Sequence, residues 1–208
     1  MVNYPNGLKK TWIASQSPTT FADRGMNLEK DINTTNTYYL SMDRAVIHKK
    51  PTPVQIVKVD YPKRSAAKIT EAYFKIPSTT DYNGIYRGKY LDFEAKECQS
   101  KTAFSLSYIH PHQLTHLEAC MRHGGICFLI FRLSHYNTDY LVDAKLLIDY
   151  VKQLKRKSIP YSWIRENGHI IPRYYGRPIH YLEIVDKLYF KDEEDMHESK
   201  QEEKKDQQ

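Results

Sequence analysis

Asp81 and the run Glu94-Ala95-Lys96 are the residues whose types and spacing best suit chemistry. They place two carboxylates and an ammonium within residues 79–96, TTDYNGIYRGKYLDFEAK. A hairpin brings them together. With Arg87-Gly88 as a two-residue loop, Gly88 supplying the positive φ that such loops need, Asp81 falls opposite Glu94 and Thr79 opposite Lys96. Directly opposed residues have Cβ atoms roughly 4.5–5.5 Å apart on one face, close enough for both carboxylates to hold one cation. Two facing carboxylates with a hydroxyl or amide suit a hard ion such as Mg2+ or Mn2+. An ion there lowers the pKa of a bound water and neutralises a scissile phosphate. Lys96 lies two residues beyond Glu94, on the same face, where its ammonium can stabilise a pentavalent phosphate or orient the attacking water. The reaction class is phosphodiester hydrolysis. The competing reading is a surface hairpin whose charges face water.

Period-2 alternation fixes the register. One face carries Thr79, Asp81, Asn83, Ile85, Tyr90, Asp92, Glu94 and Lys96, and is mostly polar. The other carries Thr80, Tyr82, Gly84, Tyr86, Lys89, Leu91, Phe93 and Ala95, and is mostly apolar. A turn at Asn83-Gly84 would instead leave Glu94 without a partner.

Several elements must position these groups. Residues 25–40 form a first helix, capped by Asn27, with Met26, Leu28, Ile32 and Tyr39 as its apolar stripe. Glu29 and Asn33, four apart, can face a cleft together. Residues 44–49 form a short strand. An excursion with three prolines (Pro51, Pro53, Pro62) and a basic cluster (Lys63, Arg64, Lys68) follows. Its first part reads as extended and ends at Pro62, and a basic projection beside a metal site can enter or brace a nucleic acid. Residues 110–123 form a helix with Leu114, Leu117 and Met121 toward the core, and the Gln113 amide oxygen near its start can reach a cation. His110, His112 and His116 lack a Cys or acidic partner at zinc spacing, so no zinc site is expected. Gly124-Gly125 ends this helix. Residues 126–131, ICFLIF, read as a buried central strand. A strand at 140–142, a helix at 144–155 and a closing amphipathic helix at 181–190 complete the chain. The basic run 152–157 with Tyr161 and Trp163 suits a phosphate-rich surface.

Length and composition fit one compact domain with tails: 208 residues, 40% hydrophobic, 27% charged. The formal net charge of +6 is uneven, because residues 191–208 carry eight acids and four lysines, leaving +10 on the remainder. So basic a body suggests a polyanionic partner, nucleic acid before anionic membrane. Three cysteines without CxxC spacing argue against a disulfide framework and a zinc site. No apolar run is long enough to cross a bilayer and no signal-peptide core follows Lys9-Lys10, so the chain reads as cytosolic, without membrane. The expected organisation is a flexible basic arm (1–23), a catalytic domain (24–190) and a disordered charged tail (191–208).

The Asp81…Glu94-Ala95-Lys96 pattern resembles the catalytic signature of the PD-(D/E)xK nuclease superfamily. More closely, the chain resembles the RecU family of Holliday junction resolvases from low-GC Gram-positive bacteria. The resemblance lies in RGMNLEKDIN, AVIHKKPTPVQIVKVDYPKRSAAKITEAYFKIPSTTDYNGIYRGKYLDFEAKE, HPHQLTHL and GGICFLIF, which cover most of 24–131. PRYYGRPIHYLEIVDKLYF resembles the family's closing segment, while 132–173, Cys98 and its surroundings, and the long tail depart from it. The resemblance implies an α/β, restriction-endonuclease-like core with a mixed central sheet flanked by helices, and a protruding stalk over about 51–78. It implies a homodimer and a Mg2+-dependent endodeoxyribonuclease, with Mn2+ as the alternative ion, that nicks four-way DNA junctions symmetrically in recombination and repair. Recombinase or branch-migration machinery would be its protein partners. By motif position, Thr79, Asp81, Glu94 and Gln113 match the metal ligands, and Lys96 matches the transition-state stabiliser beside catalytic Asp81 and Glu94. Glu29 matches an extra active-site acid, and Arg64 falls in the family's stalk, which with the basic cluster it shares with Lys63 and Lys68 makes these three the expected DNA-binding residues. The rivals are another PD-(D/E)xK endonuclease and a DNA-binding protein that bridges junctions or strands without cutting.

Overall fold

The computed structural model describes residues 28–75 and 79–190, the side chain of Arg64 excepted. The expected arm and tail, with Met26 and Asn27, lie outside the described residues. In chain order the elements are α1 (Leu28–Ser41), β1 (Val46–Lys49), β2 (Val54–Asp60), β3 (Lys68–Phe74), β4 (Tyr82–Tyr86), β5 (Lys89–Cys98), β6 (Ala103–Ser105), α2 (Pro111–Arg122), β7 (Ile126–Leu133), β8 (Thr138–Asp143), α3 (Ala144–Gln153), β9 (Ser158–Pro160), α4 (Tyr161–Asn167), β10 (His169–Ile170) and α5 (Leu182–Tyr189).

The β4–β5 hairpin has the register that polarity sorting predicts, from Tyr82 opposite Phe93 to Tyr86 opposite Lys89. Both loop residues take positive φ, Arg87 at 48° and Gly88 at 72°, which is the type I′ geometry whose twist matches the flanking strands. Around this hairpin grows a six-stranded sheet in the order β1-β4-β5-β7-β8-β10. β5 and β7 run parallel and the other neighbours antiparallel. Gly84 is required where β1 meets β4, since a Cβ there would lie 2.1 Å from the Val46 carbonyl oxygen.

Helices cover both faces, so this is the mixed sheet flanked by helices that was expected. Leu91, Phe93, Phe128 and Ile130 pack under α1 and α5 with Ile32, Tyr39, Leu182 and Val185. Cys127, Leu129, Phe131 and Val142 pack on the opposite side with Leu117 of α2, Leu147 and Ile148 of α3, and Ile164 of α4. Every residue of β7 is buried, because both faces of a central strand are covered. This covering changes the reading of the hairpin's polar face. α2 lies over it, and Asp92 and Glu94 are fully buried rather than facing water. A buried ion pair seats α1: Arg132 on β7 reaches Asp31 of α1 and Asp139 of β8, each at 2.7 Å.

One reading needs correction. The excursion after β1 is not extended only up to Pro62. β2 and β3 form a separate antiparallel hairpin, with register shifts near Lys58 and every residue exposed. Ile69, Thr70, Tyr73 and Phe74 give the second strand the β-branched and aromatic content that strands favour. Beside the basic run, Tyr161 stacks on Tyr136 at 4.3 Å and Trp163 on Tyr150 at 4.2 Å, and both are half-buried.

Candidate active site

The ladder between β4 and β5 ends at Tyr82 and Phe93, and residues 79–81 lead into β4 without strand pairing to β5. Asp81 is held by two main-chain bonds instead. Its N–H donates to Glu94 Oε2 at 3.1 Å, and its carbonyl accepts the Lys50 N–H at 2.7 Å. Asp81 and Glu94 are thus brought together, but through this main-chain bond and not as the cross-strand pair that the hairpin reading predicts, and Thr79 is likewise not paired with Lys96. Lys96, two residues along the same face of β5, pairs its ammonium with Glu94 Oε1. Burial, and then the charge of Asp81, pushes the Glu94 carboxyl up to about 7, against the opposing pull of Lys96.

Glu29 stands at the edge of the same place. A cleft of about 180 Å³ is lined by Leu28, Glu29, Lys49, Asp81, Tyr82, Ala95 and Glu97. Glu29 pairs with Lys49 at 2.6 Å, while Asn33, one turn on, accepts the Tyr82 hydroxyl at 3.3 Å. Glu97 caps α1 by accepting the Leu28 N–H at 3.1 Å. Thr79 is half-buried, and its hydroxyl lies 3.4 Å from the Thr80 carbonyl. Gln113 is buried, and its amide oxygen accepts the His110 N–H at 2.9 Å, which caps the start of α2. Neither Thr79 nor Gln113 is bonded to Asp81 or Glu94 among the described contacts.

The exposed β2–β3 hairpin begins beside this site. A second cleft, about 360 Å³, runs from Lys49, Lys50, Pro51, Thr52 and Pro53 to Thr79, Thr80 and Asp81. Lys63 and Lys68 are exposed at the hairpin's far end, on either side of the short helical turn Arg64–Ala66.

The expectation that the helix histidines lack partners is overturned for His116. Asp92, His116 and Cys120 bring their ligating atoms within 4.8 Å of one another. The i, i+4 spacing of His116 and Cys120 was a legible signal. Asp92, which completes the group, joins from β5 only because the sheet passes under α2. His110 and His112 instead stack on each other.

Comparison with known proteins places this architecture. Residues 23–187 match the family described as Recombination protein U. Proteins named "Holliday junction resolvase RecU" are similar over nearly their whole lengths. The one from Oceanobacillus iheyensis is 54% identical over 196 residues, covering 91% of this chain and 100% of that protein. That from Geobacillus kaustophilus is 54% identical, covering 91% and 98%. That from Lactococcus lactis subsp. lactis is 49% identical over 209 residues, covering 90% and 98%. With a family match over residues 23–187 and about half of the aligned positions identical to these relatives over 90–91% of the chain, the chain belongs to the Recombination protein U family.

Proposed function

We infer that the chain is a Holliday junction resolvase, an endonuclease that opens phosphodiester bonds in four-way DNA junctions. The relatives' shared name supports the substrate. The observation that carries the chemistry is Glu94, wholly buried, with one oxygen on the Asp81 N–H and the other on the Lys96 ammonium.

The donor set fits Mg2+ or Mn2+. A buried carboxyl raised by burial and by a neighbouring carboxylate is a site that a divalent cation relieves. Asp81 and Glu94 would hold the ion. The Thr79 hydroxyl and the second lone pair of the Gln113 amide oxygen would complete its protein ligands. When bound, the ion supplies charge neutralisation for the scissile phosphate and acidifies a bound water. Lys96 does the rest of the electrostatic work. As a water oxygen bonds to phosphorus and a bridging P–O bond breaks, negative charge grows on the non-bridging oxygens, and the Lys96 ammonium is fixed beside them. Glu29, across the cleft, is an additional acid on the substrate side. Resolution takes two symmetric nicks, which two copies related by a twofold axis deliver from identical sites. The β2–β3 hairpin, with Lys63, Arg64 and Lys68 at its end, is the element that contacts the junction.

The test compares wild type with Asp81→Asn on a labelled four-way junction and on linear duplex, with and without Mg2+. The wild type should nick the junction symmetrically and only with metal, and the variant should bind without cutting. A wild type that binds the junction and never cuts with Mg2+ or Mn2+ is a junction-bridging protein and not a nuclease.

A further inference from the structure

Asp92 lies two residues before Glu94 on the same face of β5 and is wholly buried, yet the hydrolysis just described does not use it. Four side chains converge on it. The Lys50 ammonium donates to Oδ2 at 2.8 Å, the Tyr90 hydroxyl donates to Oδ2 at 2.8 Å, and His116 Nε2 lies 3.1 Å from the same oxygen. The Thr80 hydroxyl donates to Oδ1. Lys50 also donates to the Thr80 hydroxyl at 3.0 Å, and its backbone N–H holds the Asp81 carbonyl at 2.7 Å.

Together with Cys120, whose sulfur lies 3.5 Å from the same His116 nitrogen, this group has the spacing of a metal site. The place is already held by a cation. The Lys50 ammonium sits on the carboxylate oxygen that His116 also faces, and a metal ion there would meet an unscreened like charge in a buried setting. The cluster is therefore built around a cation that belongs to the chain.

Its members are not scattered. Thr80 stands between Thr79 and Asp81, Asp92 stands two residues from Glu94, and His116 stands one helical turn beyond Gln113. Each neighbours one of the positions assigned to the catalytic ion. Those positions come from three separate segments, and a productive site requires them fixed to within about 0.5 Å. Buried ion pairs contribute little to stability on average but can specify one arrangement over others.

We propose that Lys50 is a positioning residue for phosphodiester cleavage: with Asp92, Thr80 and His116 it locks residues 79–81, β5 and α2 together so that the metal ligands meet. The proposal rests on the metal-dependent nuclease reading above. Lys50 also immediately precedes Pro51, where the chain leaves for the β2–β3 hairpin, so the same lock fixes the root of that hairpin beside Asp81.

The experiment measures single-turnover nicking of a four-way junction against Mg2+ concentration for wild type, Lys50→Met and Lys50→Arg. It also measures metal-free junction binding and thermal unfolding. Lys50→Met should fold and bind within about twofold of wild type, while the Mg2+ concentration for half-maximal nicking rises about tenfold or more, as loss of an outer support for metal ligands does. Lys50→Arg, which keeps the charge, should recover part of the shift. Lys50→Met/Asp92→Asn leaves no unpaired buried charge and should show the same shift if Lys50→Met alone does not fold. A folded variant with wild-type metal dependence overturns the proposal. So does nicking lost at unchanged half-saturation, which would put Lys50 on the substrate, and so does a failure of both variants to fold, which would make the cluster purely structural. Absence of metal-dependent nicking by the wild type sinks the nuclease reading itself, an outcome distinct from all of these.

Discussion

The Asp81 backbone N–H donates to Glu94 Oε2 at 3.1 Å, so the acid on one strand is oriented by the main chain that carries the other. The proposed cation would need Glu94 ionised, yet without metal its carboxyl is pushed up to about 7 from 4.5. A carboxyl whose pKa is raised on folding contributes stability that is fully present below the unfolded value and is lost as pH rises through the folded one. Metal-free protein should therefore lose stability between about pH 4.5 and pH 7, by about 3 kcal/mol if Glu94 acts alone. Glu94→Gln should flatten that slope in denaturant titrations at several pH values, while junction nicking falls by about 100-fold or more. Mg2+ should raise the melting temperature of wild type more at pH 8 than at pH 5.5, because binding must displace the Glu94 proton at the lower pH. A pH-independent Mg2+ effect would remove Glu94 from the ligand set.

The hairpin end offers a separate test. Lys63 and Lys68 are exposed, far along a two-stranded element with no core of its own, so their substitution should leave the fold intact. If each neutralises a phosphate, Lys63→Ala and Lys68→Ala should each lower the slope of log Kd against log salt by about one for a junction substrate. An unchanged slope in both would exclude these lysines from DNA contact.

Which parts of this architecture could be read from the chain depends on how local their causes are. The hairpin register was legible because both strands sort by polarity at once, and Arg87-Gly88 supplies its turn. The buried strand ICFLIF and the helix stop at Gly124, which takes φ +80°, were legible for similarly local reasons. β3 was missed because the prolines and the basic cluster before it obscure a strand whose alternation begins only at Lys68. Asp92 was read as part of a polar face, and nothing local shows that α2 covers it. Lys50, Thr80, Asp92 and His116 are far apart in sequence, and only the sheet's topology brings them to one point. That Tyr161 and Trp163 stack on Tyr136 and Tyr150 is likewise a tertiary fact that composition does not reveal.

Gly84 tests how much the site depends on the sheet edge that carries Lys49 and Lys50. A methyl there would lie 2.1 Å from the Val46 carbonyl oxygen and 2.6 Å from the Ile47 Cα, both main-chain atoms that move only if β1 separates from β4. Gly84→Ala should cost about 1–3 kcal/mol by overpacking. It should also lower nicking further than its stability loss explains, because β1 leads into Lys50 and the Asp81 carbonyl that Lys50 holds. Ile85→Ala, at the next and exposed position of β4, serves as the control. Equal nicking by the two folded variants would show that the spacing of β1 from β4 does not set the site.

Away from the site, His180 controls acid stability. Burial, then Arg44 and Arg177, lowers its pKa to about 4 from 6.5, and its Nδ1 lies 2.9 Å from the Tyr39 hydroxyl under α5. A basic group held neutral by the fold favours the folded state fully above its unfolded value and opposes it progressively as pH falls from about 6.5 to 4, where the unfolded chain binds the extra proton. The expected loss over that window is about 3 kcal/mol. His180→Gln cannot take up that proton, so its stability should fall less between pH 7 and pH 4.5 than that of wild type, even if it starts lower at neutral pH from the altered contact with Tyr39. Denaturant midpoints at pH 7, 6, 5 and 4.5 decide it. Parallel curves for the two proteins would mean that His180 does not titrate differently on folding.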